Sequence, residues 1–158
     1  MNESESPTTE YSSPLDSDGV LDADALRALY MAEMGGEAFY EAFAAQIGND
    51  DAADLLRRNG REEGGHARRI GRAIELKLGS AFEPPAPVDP SVITLPDPID
   101  RAFFERIIAG ELEGDAKYAN LAEHEPDPEV ARLYRLNGRE ESIHAGRIEE
   151  VMALLGTT

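Results

Sequence analysis

The sequence predicts an all-α protein, an antiparallel four-helix bundle made of two repeated helical hairpins joined by a long crossover. Three observations carry this. Apolar residues recur every three to four positions along most of the chain, the spacing of one helix face. The two halves align without a gap at an offset of 78 residues. Between them lies a proline-rich stretch, with Pro84, Pro85, Pro87, Pro90, Pro96 and Pro98 inside residues 80–98.

The elements follow in order. The first 24 residues hold seven acids and no Lys or Arg, with Ser, Thr and Pro filling much of the rest, so residues 1–20 read as a disordered acidic tail. From Asp22 the helical period runs through Leu26, Leu29, Glu33, Gly36, Tyr40, Phe43 and Ile47. Gly48-Asn49-Asp50 breaks it, and Asn49 or Asp50 can cap a second helix with Leu56, Asn59, Glu63, His66, Ile70 and Ala73 on one stripe. Gly79 is placed to end that helix, which makes residues 22–79 the first hairpin. Residues 80–97 form the extended crossover, where Val92-Ile93-Thr94-Leu95 is the one short strand-like run. Asp97-Pro98 offers a cap and a first-turn proline for a third helix, and Asp127-Pro128 does so for a fourth that Gly156 closes. The second hairpin is therefore 98–156, within a domain spanning 21–158.

Composition excludes several function classes. With 32 acidic and 15 basic residues the net charge is −17, which repels phosphate backbones and anionic lipid, so neither nucleic acid nor a membrane surface is an expected partner. No cysteine is present, which removes disulfides, thiolate zinc sites and iron–sulfur clusters. No apolar run approaches membrane-spanning length and the N-terminus has no signal-peptide pattern, so a cytoplasmic location is expected.

The repeat places the chemistry. Residues 33–70 and 111–148 share 17 identities in 38 positions, among them Glu33/Glu111, Gly36/Gly114, Tyr40/Tyr118, the run Asn59-Gly60-Arg61-Glu62-Glu63 against Asn137-Gly138-Arg139-Glu140-Glu141, and His66/His144. Four antiparallel helices with one long connection are a ferritin-like topology. Glu63 and His66, like Glu141 and His144, lie three residues apart and so share a helix face. Glu33 and Glu63 lie 15 residues either side of Gly48, and Glu111 and Glu141 lie 15 either side of Pro126. In an antiparallel hairpin such residues sit at one height, about 22 Å from the turn at helical rise. Four carboxylates and two imidazoles are thus brought to one level of the core, where like charges repel and unpaired ones lose hydration. Two divalent cations would balance the four carboxylate charges. Oxygen and imidazole donors without thiolates suit iron or manganese, with Glu33, Glu63, His66, Glu111, Glu141 and His144 as ligands. The third histidine, His124, favours a helix C-terminus.

These residues resemble the rubrerythrin branch of the ferritin-like superfamily. The stretch from Glu129-Val-Ala-Arg-Leu-Tyr-Arg to Glu141-Ser-Ile-His144-Ala is similar to the fourth helix of that family, and Glu111 followed by Ala116-Lys-Tyr118 to its third. The resemblance spans residues 25–156 and implies a centre of two iron ions, with manganese as the alternative. It also implies reduction of peroxide or dioxygen, a role in oxidative stress, an external electron-donor protein, and a homodimer as the oligomer to look for. Tyr40 and Tyr118 match tyrosines that lie beside the metal ligands in that family; as residues they serve equally as core aromatics. Glu62 and Glu140 stand where di-iron oxygenases carry an acid that orients a ligand histidine, or else pair with Arg58 or Arg61 on a solvated flank. Asn59 and Asn137 lie on the core stripe, where hydrogen bonding around the ligands is expected.

Two departures from the family bear on the reaction. Rubrerythrins typically carry a cysteine-rich rubredoxin domain, and these 158 residues hold no cysteine. They also carry a further carboxylate three residues after the third-helix Glu, where this sequence has Gly114; Asp115 and its counterpart Glu37 are the nearest substitutes. Gly36, Gly114, Gly60 and Gly138 either leave room for a substrate or allow close helix packing. The activities open at this point are a peroxide- or oxygen-reducing oxidoreductase, a di-iron hydroxylase of an organic substrate, a ferroxidase or iron-binding protein, and a metal-free interaction bundle.

Overall fold

The computed structural model describes residues 19–157. The acidic tail expected over residues 1–20 lies outside the described residues, except for its last two. Four helices make up the fold: α1 (Ala23–Gln46), α2 (Asp50–Leu78), α3 (Arg101–His124) and α4 (Pro128–Leu154), with no strand among the described residues.

Each helix begins where a short acceptor side chain meets an orphan amide. Asp22 accepts from the Ala25 amide, Asn49 from Ala52, Asp100 from Phe103, and Asp127 from Glu129 and Val130. Gly79 ends α2 in the left-handed region at φ +65°, a conformation that costs glycine nothing. The third helix starts later than Asp97-Pro98 suggests. Asp97-Pro98 is a cis peptide at a bend, and Asp100 supplies the cap. In between, Leu95 and Ile99 pack against the core instead of opening a helix. The Val92–Leu95 run is not a strand either: Pro90–Val92 is a 3-10 turn capped by Asp89.

The side-chain contacts fix the directions of the helices. Tyr40 lies against Gly60, Tyr118 against Gly138, and Arg69 on α2 reaches Asn137 on α4, while Arg147 on α4 reaches Asn59 on α2. All neighbouring pairs are therefore antiparallel, and α2 and α3 point the same way. The crossover must then travel the length of the bundle, and it runs beside α1: Phe82 packs edge-on to Tyr30 near one end, and Gln46 donates to the Pro96 carbonyl at the other. The pairs α1–α2, α3–α4 and α2–α4 pack closely, whereas no Cα of α1 comes within 8 Å of α3.

The apolar core is divided. One cluster gathers Leu26, Leu29, Ile70, Ile74, Leu121 and Tyr134; the other gathers Phe43, Leu56, Phe104, Ile148 and Val151. A layer of buried polar residues separates them: Glu33, Asn59, Glu63, His66, Asn137, Glu141, His144 and Arg147. The apolar clusters hold the helices together on either side of that layer, and truncating Phe43 to Ala is expected to cost about 3–5 kcal/mol. No helix of the described residues is long and apolar enough to cross a membrane.

The net charge of −17 sets a condition on stability. Acid groups in such excess repel one another in the folded state, and added salt screens that repulsion. The unfolding temperature is expected to rise from low to high concentration of a monovalent salt, as followed by circular dichroism. A flat or falling temperature would show that the surface ion pairs outweigh the excess acid.

Candidate metal centre

Every helix contributes to the polar layer. α1 brings Glu33 and Tyr40, α2 brings Glu63 and His66, α3 brings Glu111 and Tyr118, and α4 brings Glu141 and His144. The acids and histidines form two overlapping groups that could each hold a metal ion. One is Glu33, Glu63, His66 and Glu141; the other is Glu63, Glu111, Glu141 and His144, with the donor atoms of each group within 4.8 Å of one another. Glu63 and Glu141 belong to both. Each therefore stands between the groups, and Glu33 with His66, and Glu111 with His144, lie at the two ends.

The imidazoles supply the test of whether these residues fit a cation. His66 is fully buried with its Nδ1 3.4 Å from Glu33, 3.3 Å from Glu63 and 3.4 Å from Glu141. His144 mirrors it, its Nδ1 3.1 Å from Glu63, 3.4 Å from Glu111 and 3.8 Å from Glu141. Neither Nδ1 has a hydrogen-bond partner. A buried ring nitrogen left without a bond is rare, and here two of them face carboxylate oxygens on three sides. The other ring nitrogen is engaged in both cases: His66 Nε2 lies 3.1 Å from Glu140, and His144 Nε2 lies 3.1 Å from Glu62. Once a ring gives up a proton and is neutral, the proton kept on Nε2 toward those acids leaves the Nδ1 lone pair free for a cation. The donor set is oxygen and imidazole nitrogen, which fits hard to borderline divalent cations.

Burial and mutual repulsion drive the cluster to neutralise itself. Burial pushes Glu33 up to about 7. Burial, with Glu111 and Glu63 nearby, pushes Glu141 up to about 9. Burial also opposes ionisation of Glu63, but the facing His144 and His66 rings outweigh it and bring the group down to about 2. Burial likewise disfavours the charged imidazoles, yet the surrounding carboxylates push His66 up to about 12 and His144 up to about 10.

The next layer is duplicated like the first. Arg69 makes two bonds of 2.8 Å to Glu140 and one of 2.9 Å to Asn137. Arg147 bonds Glu62 at 2.6 and 3.0 Å and Asn59 at 2.9 Å. Against the penalty of burial, Arg147 holds Glu62 below the usual carboxylate range. Asn59 and Asn137 donate in turn to the backbone carbonyls of His144 and His66. Glu62 and Glu140 thus reach the histidine of the opposite helix. Arg58 stands 3.5 Å from Glu62 on the exposed side as a lesser partner. Across the other side, the Tyr40 hydroxyl donates to Glu111 and the Tyr118 hydroxyl to Glu33. Burial and those carboxylates raise both phenols well above their ordinary range, so they stay protonated.

The glycines have a specific part in this. A Cβ on Gly36 would stand 3.2 Å from the Glu63 carboxylate, and one on Gly114 would stand 3.3 Å from that of Glu141. These two glycines leave the space that the shared carboxylates occupy. Gly60 and Gly138 instead let the Tyr40 and Tyr118 side chains approach, with a Cβ contact at 3.1 Å in each case. Glu37 and Asp115 do not join the cluster. Glu37 lies over Gly64, Asp115 accepts from the Ser142 hydroxyl, and His124 bonds the Asn120 carbonyl at the end of α3. Arg69 and Arg147 were not identified from sequence, although they occupy one repeat offset and stand three residues after His66 and His144.

No known protein family, no curated protein and no solved structure matches the chain.

Two outcomes follow. Protons and metal ions compete for the same atoms, so binding of a divalent metal is expected to release protons and to weaken as pH falls. Calorimetry in buffers of different ionisation enthalpy measures the release, and an uptake of protons would contradict it. Glu140→Gln removes the charge that holds His66 while leaving every member of the cluster in place. It is expected to weaken metal binding about 10- to 100-fold in competition with a chelator; unchanged affinity would show that Arg69 and Glu140 merely brace the helices.

Proposed function

We propose that this protein is a rubrerythrin-like di-iron oxidoreductase with a ferritin-like topology, reducing peroxide or dioxygen with electrons from an external donor protein. The observation that carries the reading is the pair of overlapping groups, each with one buried imidazole nitrogen free to ligate and both sharing Glu63 and Glu141. Glu33 and His66 would hold one ion, Glu111 and His144 the other, and the two shared carboxylates would lie between them. Two iron ions bound there would supply one electron each.

The chain's own residues do the rest. Tyr118 and Tyr40 hold one oxygen of Glu33 and of Glu111 by hydrogen bond, which leaves the second oxygen of each to face the centre. Glu140 and Glu62 hold the imidazoles in one tautomer, and Arg69 and Arg147 hold those acids. Reduction of peroxide consumes two electrons and two protons and yields two waters. Without cysteine, these residues cannot form an iron–sulfur relay or a redox disulfide, which supports an electron donor outside them.

A second reading, hydroxylation of an organic substrate, is favoured by one feature. A groove of about 400 Å³ lies between α1 and α3 and reaches Glu33, Glu111 and Glu141.

Iron-reconstituted protein is expected to hold two irons per chain by metal analysis. It should be oxidised once by peroxide or oxygen, and should consume oxidant continuously only when a reductase and donor are added. No more than adventitious iron, or sustained turnover with NADH alone, would overturn the reading. Disproportionation of peroxide without reductant would point to a di-manganese catalase instead.

A further inference from the structure

The acid cluster is closed toward α2 and α4 by the histidines, the asparagines and the arginine–glutamate pairs. Toward α1 and α3 it is open. The groove there is floored by Glu33, Glu111 and Glu141 and walled by Leu29, Phe39 and Ile107. Its volume falls within the range of small-molecule sites, about 300–1,000 Å³, and far exceeds what peroxide or dioxygen needs. Small residues keep it open: Ala32 and Gly110, which share one repeat offset, line it from opposite helices.

Charge gives the groove a direction. Its floor is acidic, and its one lining cation is Arg106 on α3. That guanidinium is exposed, makes no ion pair among the described residues and lies 5.8 Å from the centroid of the Phe103 ring. A free guanidinium presents a planar fork of donors that matches a carboxylate. An anionic head is repelled by the floor and attracted at Arg106, while an apolar body gains by covering the half-buried Phe39 and Ile107.

We infer that the α1–α3 groove binds a small organic monocarboxylate, its head on Arg106 and its apolar body lying over the walls toward the acid cluster. The inference concerns binding, and it holds or fails independently of the redox reading, because binding is measured on metal-free protein.

The test titrates 4-phenylbutyrate and its neutral amide into the full metal-free chain, followed by methyl NMR signals, with a parallel titration of zinc-loaded protein. The acid is expected to shift the Leu29 and Ile107 methyls saturably, and the amide to bind about two- to fivefold more weakly, the effect of one exposed charge pair. Arg106→Gln should bring the acid down to the level of the amide. Gly110→Phe should abolish binding of both, since a Cβ at Gly110 meets nothing within 4 Å and the ring can enter the groove without displacing the helix. If that variant does not fold, the comparison of acid with amide in the native protein and in Arg106→Gln still decides. Absence of saturable shifts at Leu29 and Ile107, or binding that survives a folded Gly110→Phe, would overturn the site. Equal affinity for acid and amide would overturn the assignment of Arg106 to an anionic head.

Discussion

The rest of the structure is arranged around one electrostatic problem: three buried carboxylates, the half-buried Glu111 and two buried imidazoles gathered at a single level of a helical bundle. Ionised groups in a low-dielectric interior lose several kcal/mol of hydration each, and neighbouring carboxylates repel. Compensation is visible at every step outward. The carboxylates face imidazole nitrogens, the imidazoles face Glu62 and Glu140, and those acids face arginines bound in turn by asparagines. The chain of pairs ends at backbone carbonyls, so little polar capacity is left over. Of the buried polar atoms that remain without partners, two are the histidine nitrogens aimed at the centre.

Duplication makes this economical in sequence and robust in geometry. Each hairpin supplies half a centre, and neither half is complete alone. Glu62 of the first hairpin holds His144 of the second, Glu140 of the second holds His66 of the first, and the tyrosines reach across in the same reciprocal manner. Such crossing ties the docking of the hairpins to the formation of the site. The α2–α4 contact is the rigid wall in this arrangement, because the arginine clamps span it twice. The α1–α3 side, held by two tyrosine bonds and by aromatic contacts of Phe39 and Phe43 with Phe103, has no close backbone approach.

This unequal closing has consequences for chemistry. The cluster is walled by hydrogen-bonded pairs toward α2 and α4 and meets a groove toward α1 and α3. The glycines sharpen the point. Gly36 and Gly114 sit where a larger side chain would press on the shared carboxylates, so the space they leave belongs to Glu63 and Glu141. Gly110 lies on the groove with nothing near it, so the space it leaves belongs to whatever occupies the groove.

Much of this was legible in the sequence, for a local reason. Helical rise and the hairpin turn fix the height of each residue, so the 15-residue spacings about Gly48 and Pro126 brought Glu33, Glu63, His66, Glu111, Glu141 and His144 to one level before any packing was known. Caps at Asn49 and Asp127 were equally local, whereas Asp97-Pro98 was misleading because Leu95 and Ile99 had a tertiary reason to stay out of a helix. What the sequence by itself determined was therefore the heights, the helix faces and the twofold repetition. Only the tertiary structure decided which helix each side chain meets. It made Glu63 and Glu141 the shared acids, sent Glu62 and Glu140 to the opposite histidine, and recruited Arg69 and Arg147. It also left Glu37 and Asp115 outside the cluster and held α1 apart from α3. Those outcomes depend on the rotation and separation of whole helices, which are set by the packing of residues far apart in the chain and by no spacing along it.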